Sequence, residues 1–207
     1  MKRQSKLTLW IGAGLLALAG LLPVLKVVQG GFDAGTWPGL VLGVTSVVAL
    51  VAAIDARNAL RLRAVVRLNP TGFTANVVAY RELARQLQEV QALLGLSASK
   101  IRLPSYVSVS VDSDLLKIYG GGWNPKELVA VPATKMIGIR IAQRPQGKWI
   151  LACVELDFGL PTASESVDLC LMKTRCGIPR NAKIQTLKDA VAQLTSIVPV
   201  LGTTSKP

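Results

Sequence analysis

The chain has 207 residues, a formal charge of +12 from 24 Lys/Arg against 12 Asp/Glu, three cysteines and no histidine. Half the residues are hydrophobic and only 17% are charged, where soluble domains average nearer a quarter charged, so part of the chain belongs in lipid. With no histidine, Ser-His and Cys-His catalytic arrangements are excluded, and one domain plus an anchor is the organisation that this length allows.

The first part of the chain reads as an anchor. Leu7–Leu25 and Trp37–Ile54 carry no charge, and each is long enough as a helix to cross the hydrocarbon core. They predict a two-helix transmembrane hairpin over residues 1–56, with spans at about 7–28 and 37–54 and a short turn "QGGFDAGTWPG" between them. Lys2, Arg3 and Lys6 precede the first span, while Arg57, Arg61, Arg63 and Arg67 follow the second. Positive flanks stay on the cytoplasmic side, so both termini are expected there, in a multi-pass protein of the inner membrane. Trp10 and Trp37 fit interfacial anchors, and Gly39 and Gly43 form a GxxxG suited to close helix packing. Ala17-Leu18-Ala19 has the shape of a signal cleavage site, but no polar segment precedes it and a second span follows. Residues 57–72 form a basic juxtamembrane linker, either a stop-transfer flank or a helix at anionic headgroups.

Residues 73–207 read as a cytoplasmic domain. Periodicity is helical from Phe73: Tyr80, Leu83, Leu87, Val90 and Leu94 make one apolar stripe, which ends at Gly95. That stripe packs on its own domain or on a second copy. From Tyr106 the period becomes two. Val107, Val109 and Val111 face one way and Ser108 and Ser110 the other, and "LLKIYG", "ELVAVP", "KMIGIRIAQ", "KWILACVELDF" and "ESVDLCLMK" continue an antiparallel meander. Asn181 is the expected N-cap of a last helix with Ile184, Leu187, Val191, Leu194 and Val198 on one face.

"LLKIYGG" leading into "VAVPATKMIGIRI", with Pro132 and the Met136–Ile141 run, resembles the bacterial PH-like domains that follow a two-span hairpin; the likeness covers Tyr106 to Val198. The family's usual tryptophan after that proline is Ala133 here. The resemblance implies a mainly antiparallel PH-like β barrel with a C-terminal capping helix after the hairpin; the preceding helix Thr74–Leu94 departs from the family's direct strand, and the whole is expected to be α+β. It also implies binding of lipid headgroups or peptides.

Gly120–Gly122 raises the question of a phosphate cradle. The stretch lacks the Lys-Ser/Thr pair of a nucleotide loop and precedes another strand, so it reads as a turn. Trp123 on this turn, with Lys117 and Lys126, is a candidate contact for a headgroup or partner, together with Arg57, Arg61, Arg63 and Arg67; a tryptophan folded over the barrel end is the alternative. Asp112/Asp114 and Glu155/Asp157 have the i,i+2 spacing of a cation pair, although such pairs are common on solvated sheet faces. Cys153, Cys170 and Cys176 show no zinc spacing, and no cofactor, metal or catalytic role is assigned. The positive charge is diffuse, with eight basic and two acidic residues to Leu68 and sixteen and ten beyond, so nucleic acid is not expected. The expected function is membrane-anchored binding or scaffolding, with lipid, a protein partner or a second copy as the ligand. An accessory subunit of a transport or envelope assembly is the alternative.

Overall fold

A computed structural model describes residues 36–96, 101–146, 149–160, 162–175 and 178–198. The chain divides into two compact units, Met1–Asp55 and Ala56–Pro207.

Helix α1 runs from Thr36 to Leu68. In its first unit the apolar side chains point outward: Val41, Leu42, Val44, Val47, Val48 and Leu50 are each more than half exposed. A helix apolar on every side and left uncovered by the described residues is suited to lipid. The stretch Val41–Leu68 is long and apolar enough to cross a membrane. It is the one such helix among the described residues, so the expected two-helix hairpin is corrected to a single candidate span; the first expected span, at about 7–28, lies outside the described residues. The basic juxtamembrane segment 57–72 is helical as far as Leu68, where α1 ends. Its arginines, leucines and alanines are good helix formers, and no proline interrupts them before Pro70.

The second unit contains β1 (Phe73–Val78), α2 (Arg81–Leu93), β2 (Tyr106–Val111), β3 (Leu115–Gly121) and β4 (Pro125–Pro132), then a 3-10 turn, Ala133–Lys135. It continues with β5 (Met136–Gln146), β6 (Trp149–Leu160), β7 (Ala163–Leu169), β8 (Met172–Arg175), β9 (Ile178–Asn181) and α3 (Ile184–Ile197). Every ladder is antiparallel between neighbours in sequence: β1-β2-β3-β4, β5-β6-β7 and β8-β9. Val107, Val109, Val111, Leu116 and Ile118 from the first sheet share one buried cluster with Val154, Leu156, Phe158, Val167 and Leu169 from the second. Leu83, Leu87 and Val90 of α2 and Leu187 and Leu194 of α3 complete that cluster.

These sheets do not close into a barrel, so the expected PH-like barrel is not the fold. Among the described residues no ladder joins β4 to β5, which the 3-10 turn separates, and β1 meets the segment after β7 at the Val77–Leu171 bridge and by Val78 N–H donating to Cys170 O (3.1 Å). The helix expected from Phe73 is also corrected. Phe73–Val78 pairs along its length with Val111–Tyr106, and α2 begins only at Arg81. α2 does stop as its sequence suggests: Gly95 has φ +68°, its N–H donates to Ala92 O (3.1 Å), and Leu96 N–H donates to Gln91 O (2.8 Å). This is a Schellman ending. The N-cap of α3 is Lys183 rather than Asn181, which ends β9.

Phe158 is fully buried where the two sheets meet. Phe158→Ala is expected to destabilise the full-length chain by about 3–5 kcal/mol in denaturant titration followed by circular dichroism. A loss below about 1 kcal/mol would mean that the site collapses and that this is not the packed centre.

Candidate functional site

The serines of β2 are not on a solvated face. Ser108 and Ser110 are buried, and so are Asn58, Arg61 and Val65 of α1. Asn58, Arg61, Val65 and Asn69 follow a 3-4-4 spacing, which lines one side of a helix, and this side covers the serines. Arg61 Nε donates to Ser108 Oγ at 2.9 Å, and Ser108 Oγ donates to Asn76 Oδ1 at 2.7 Å. Asn69 Nδ2 donates to Ser110 Oγ at 2.7 Å, and Asn76 Nδ2 reaches Asn58 O at 3.4 Å. The remaining guanidinium nitrogens of Arg61 donate to Gly121 O (3.1 Å) and Asn58 Oδ1 (3.0 Å). Arg61 is 2% exposed and all three of its acceptors are neutral.

The contact with Gly121 carries this network into the glycine loop. Gly120 and Gly121 end β3, Gly121 lies opposite Pro125, and Gly122–Asn124 form the hairpin connection to β4, so the stretch is a turn and not a nucleotide cradle. Gly121 has φ +91°, a conformation that side-chain-bearing residues disfavour. A Cβ on Gly122 would meet Arg57 Nε at 3.2 Å, so Arg57 lies over the turn. Next in the chain is Trp123, 81% exposed, which excludes the tryptophan folded over the domain.

Of the expected contact residues, Arg57, Arg61 and Trp123 are brought together at this turn, with exposed Lys126 opposite Gly120 on β4. Lys117 is half-buried further down β3, opposite Ser110 and Ala130. Arg63 and Arg67 are exposed on α1, and no contact ties them to the turn among the described residues. Asn58, Asn76 and Ser108 share the hydrogen-bond network of Arg61, and the sequence did not single them out as contact residues. Their only signal was a polar stripe on α1 matching a polar stripe on β2.

A second charged cluster lies on the outer face of β5–β7. Glu155 accepts from Arg140 Nε (2.9 Å) and Arg144 Nη2 (2.6 Å), Asp157 from Arg140 Nη1 (2.7 Å), and Asp168 from Arg144 Nε (2.9 Å) and Gln86 Nε2 (2.6 Å). Burial pushes the Glu155 carboxyl up, but Arg140 and Arg144 overcome it and hold the group below its ordinary value. For Asp157 burial wins over the pull of Arg140, and its pKa is raised. Arginines therefore occupy the carboxylates that a cation would need, and no group of three metal ligands occurs among the described residues. Beside this ladder, Arg81, Arg85, Arg144, Gln86, Ser166 and Asp168 border an open groove of about 520 Å³. Cys153 and Cys170 are free, buried and in one apolar cluster; their hydrogen bond and burial push the Cys153 thiol well up, which suits an inert core thiol.

No family model, curated protein or solved structure matches the chain.

Two predictions follow from this geometry. Gly121→Ala should cost about 1–2 kcal/mol in thermal unfolding, because a Cβ opposes the left-handed backbone; an unchanged midpoint would show that the turn relaxes freely. Glu155→Gln should destabilise by about 1–3 kcal/mol at neutral pH, through lost charge-assisted hydrogen bonds. A carboxyl whose folded pKa is depressed stabilises above its unfolded value and loses that contribution as pH falls through the folded value. The difference between parent and variant should therefore shrink below about pH 4.5, the ordinary value for this group. A constant difference across that window would mean that the ion pairs contribute nothing.

Proposed function

We propose that this is a membrane-anchored binding protein. The apolar part of α1 holds the chain in the inner membrane, the α+β unit lies on the cytoplasmic side, and the Trp123 turn engages the lipid headgroup layer. The observation that carries this reading is an 81% exposed tryptophan at the tip of a hairpin that Arg57 and Arg61 grip. Those arginines come directly after a stretch, Thr36–Ile54, that has no charged residue. Tryptophan beside arginine at the end of an apolar helix is the composition of a membrane–water interface, where an amphipathic ring has one apolar face and one wet edge.

The orientation follows from the same residues. Arg57, Arg61, Arg63 and Arg67 fall within fifteen residues of the apolar stretch, and Asp55 is the one acid among them. Such a flank is retained in the cytoplasm. A turn pinned to the helix needs little further ordering when it enters the headgroups, which favours binding there. With this face turned to lipid, the unpaired edges of β4 and β5 are the surfaces open to a protein partner.

The test uses full-length chain with Trp10, Trp37 and Trp149 changed to Phe, reconstituted in vesicles whose lipids carry bromine close to the headgroup. Trp123 emission is expected to be blue-shifted and quenched. Unquenched emission at the wavelength of water-exposed tryptophan would sink the reading.

A further inference from the structure

We propose that a phosphate group supplies the counter-charge for Arg57 and Arg61, and that the headgroup of an anionic phospholipid provides it. This inference rests on the interfacial placement of the Trp123 turn and goes further by naming what is bound there.

The argument begins with an imbalance of charge. Eleven of the twelve acidic residues lie among the described residues, the exception being Asp33. Six ion pairs are formed there, and none involves Arg57 or Arg61. Arg61 is nevertheless 2% exposed, and its three hydrogen bonds go to a hydroxyl, an amide oxygen and a peptide oxygen. Such acceptors satisfy hydrogen-bonding geometry without cancelling charge. A guanidinium taken out of water is ordinarily paired with an acid, because desolvation is costly without a compensating anion.

Arg57 sharpens the imbalance. It precedes Arg61 by four residues, so the two like charges are neighbours on one helix face and repel. Arg57 does not turn away into solvent but lies over Gly122. Two cations held together beside a turn, with no acid in ion-pair contact with either among the described residues, form an electropositive spot. Guanidinium forks match phosphate oxygens in pairs, and two adjacent forks can share one phosphate. Arg57 is exposed and reaches the anion directly; Arg61, held from behind by Ser108, Asn58 and Gly121, adds its field from a buried and fixed position. A Cβ at residue 122 would lie 3.2 Å from Arg57 Nε, so the arginine would shift by a few tenths of an ångström to admit it.

The test uses full-length protein in maltoside micelles, which contain no phosphate, and follows thermal unfolding. Dioleoyl phosphatidylglycerol is titrated in, with dioleoylglycerol as the phosphate-free control and inorganic phosphate as a separate arm. Phosphatidylglycerol should raise the midpoint by about 5–10 °C near saturation, the control should not, Arg57→Gln should abolish most of the rise, and Arg67→Gln should keep it. Inorganic phosphate acting as strongly as the lipid would overturn the lipid as the source. A rise that survives in Arg57→Gln, or no rise in either phosphate arm, would overturn the proposal. Trp123 quenching in the same samples separates this inference from the functional reading. A quenched Trp123 with no phosphate effect leaves headgroup docking standing, and a phosphate effect with unquenched Trp123 leaves the counter-charge standing without docking.

Discussion

The guanidinium of Arg61 joins three segments that are distant in sequence: the α1 helix, the serine face of β2 and the turn between β3 and β4. A β-strand that alternates valine and serine buries its valines spontaneously, but its serines need partners if anything covers them. Arg61 and Asn69, with Asn76 of β1, provide those partners. This polar layer makes the first sheet two-sided, with valines against the core and serines against α1. Arg61 also fixes the position of Gly121, and through it the tip that carries Trp123.

The two sheets handle buried charge in opposite ways. On the outer face of β5–β7, Glu155 is almost fully buried and meets two arginines, and Asp168 meets Arg144 and Gln86. Each charge there has a partner of opposite sign, with two arginines shared among three carboxylates, and the cluster works as a structural clamp between strands. At the α1–β2 layer the buried cation has only neutral acceptors. Replacing a balanced ion pair by apolar residues is often nearly neutral in stability, whereas an unbalanced charge persists at a real cost. That contrast separates the two clusters as candidates for function. The carboxylate ladder is explained by the strands that it joins; the hydrogen bonds of Arg61 are explained in the same way, but its charge has no acid within ion-pair distance among the described residues.

Much of this architecture was legible in the chain. Period-two runs located β2 to β7, the apolar stripe located α2, and Gly95 marked its end, because each of those signals is local. What escaped depends on distant partners. Phe73–Val78 lies directly before a helical stripe, and only its pairing with β2 makes it a strand. Ser108 and Ser110 look solvated because alternation cannot distinguish a polar face in water from one beneath a polar helix. Whether a meander closes into a barrel is decided by its first and last strands, and here β4 and β5 part at a 3-10 turn. At the candidate site, Trp123 and the arginines were visible as residue types. Their convergence was not, since about sixty residues separate Arg61 from Gly121.

The placement of the acids extends the electrostatic argument. Glu82 and Glu89 are taken by Arg85, and Glu155, Asp157 and Asp168 by Arg140 and Arg144. Asp112 is used locally, accepting from the N–H groups of Asp114 and Leu115 at the β2–β3 turn. Asp55 is the acid nearest to Arg57 in sequence, but two residues along a helix point to different sides. The acids that do form ion pairs are therefore on α2 and the second sheet, away from the end of the domain where Arg57 and Arg61 sit. A +12 chain could have placed one carboxylate beside Arg61 and removed the cost of burying it. On the counter-charge proposal, leaving that position open weakens the domain in isolation and makes its stability respond to an external anion. A water-soluble protein would gain little from that arrangement, whereas a protein held at an anionic lipid surface has a permanent supply of counter-charge.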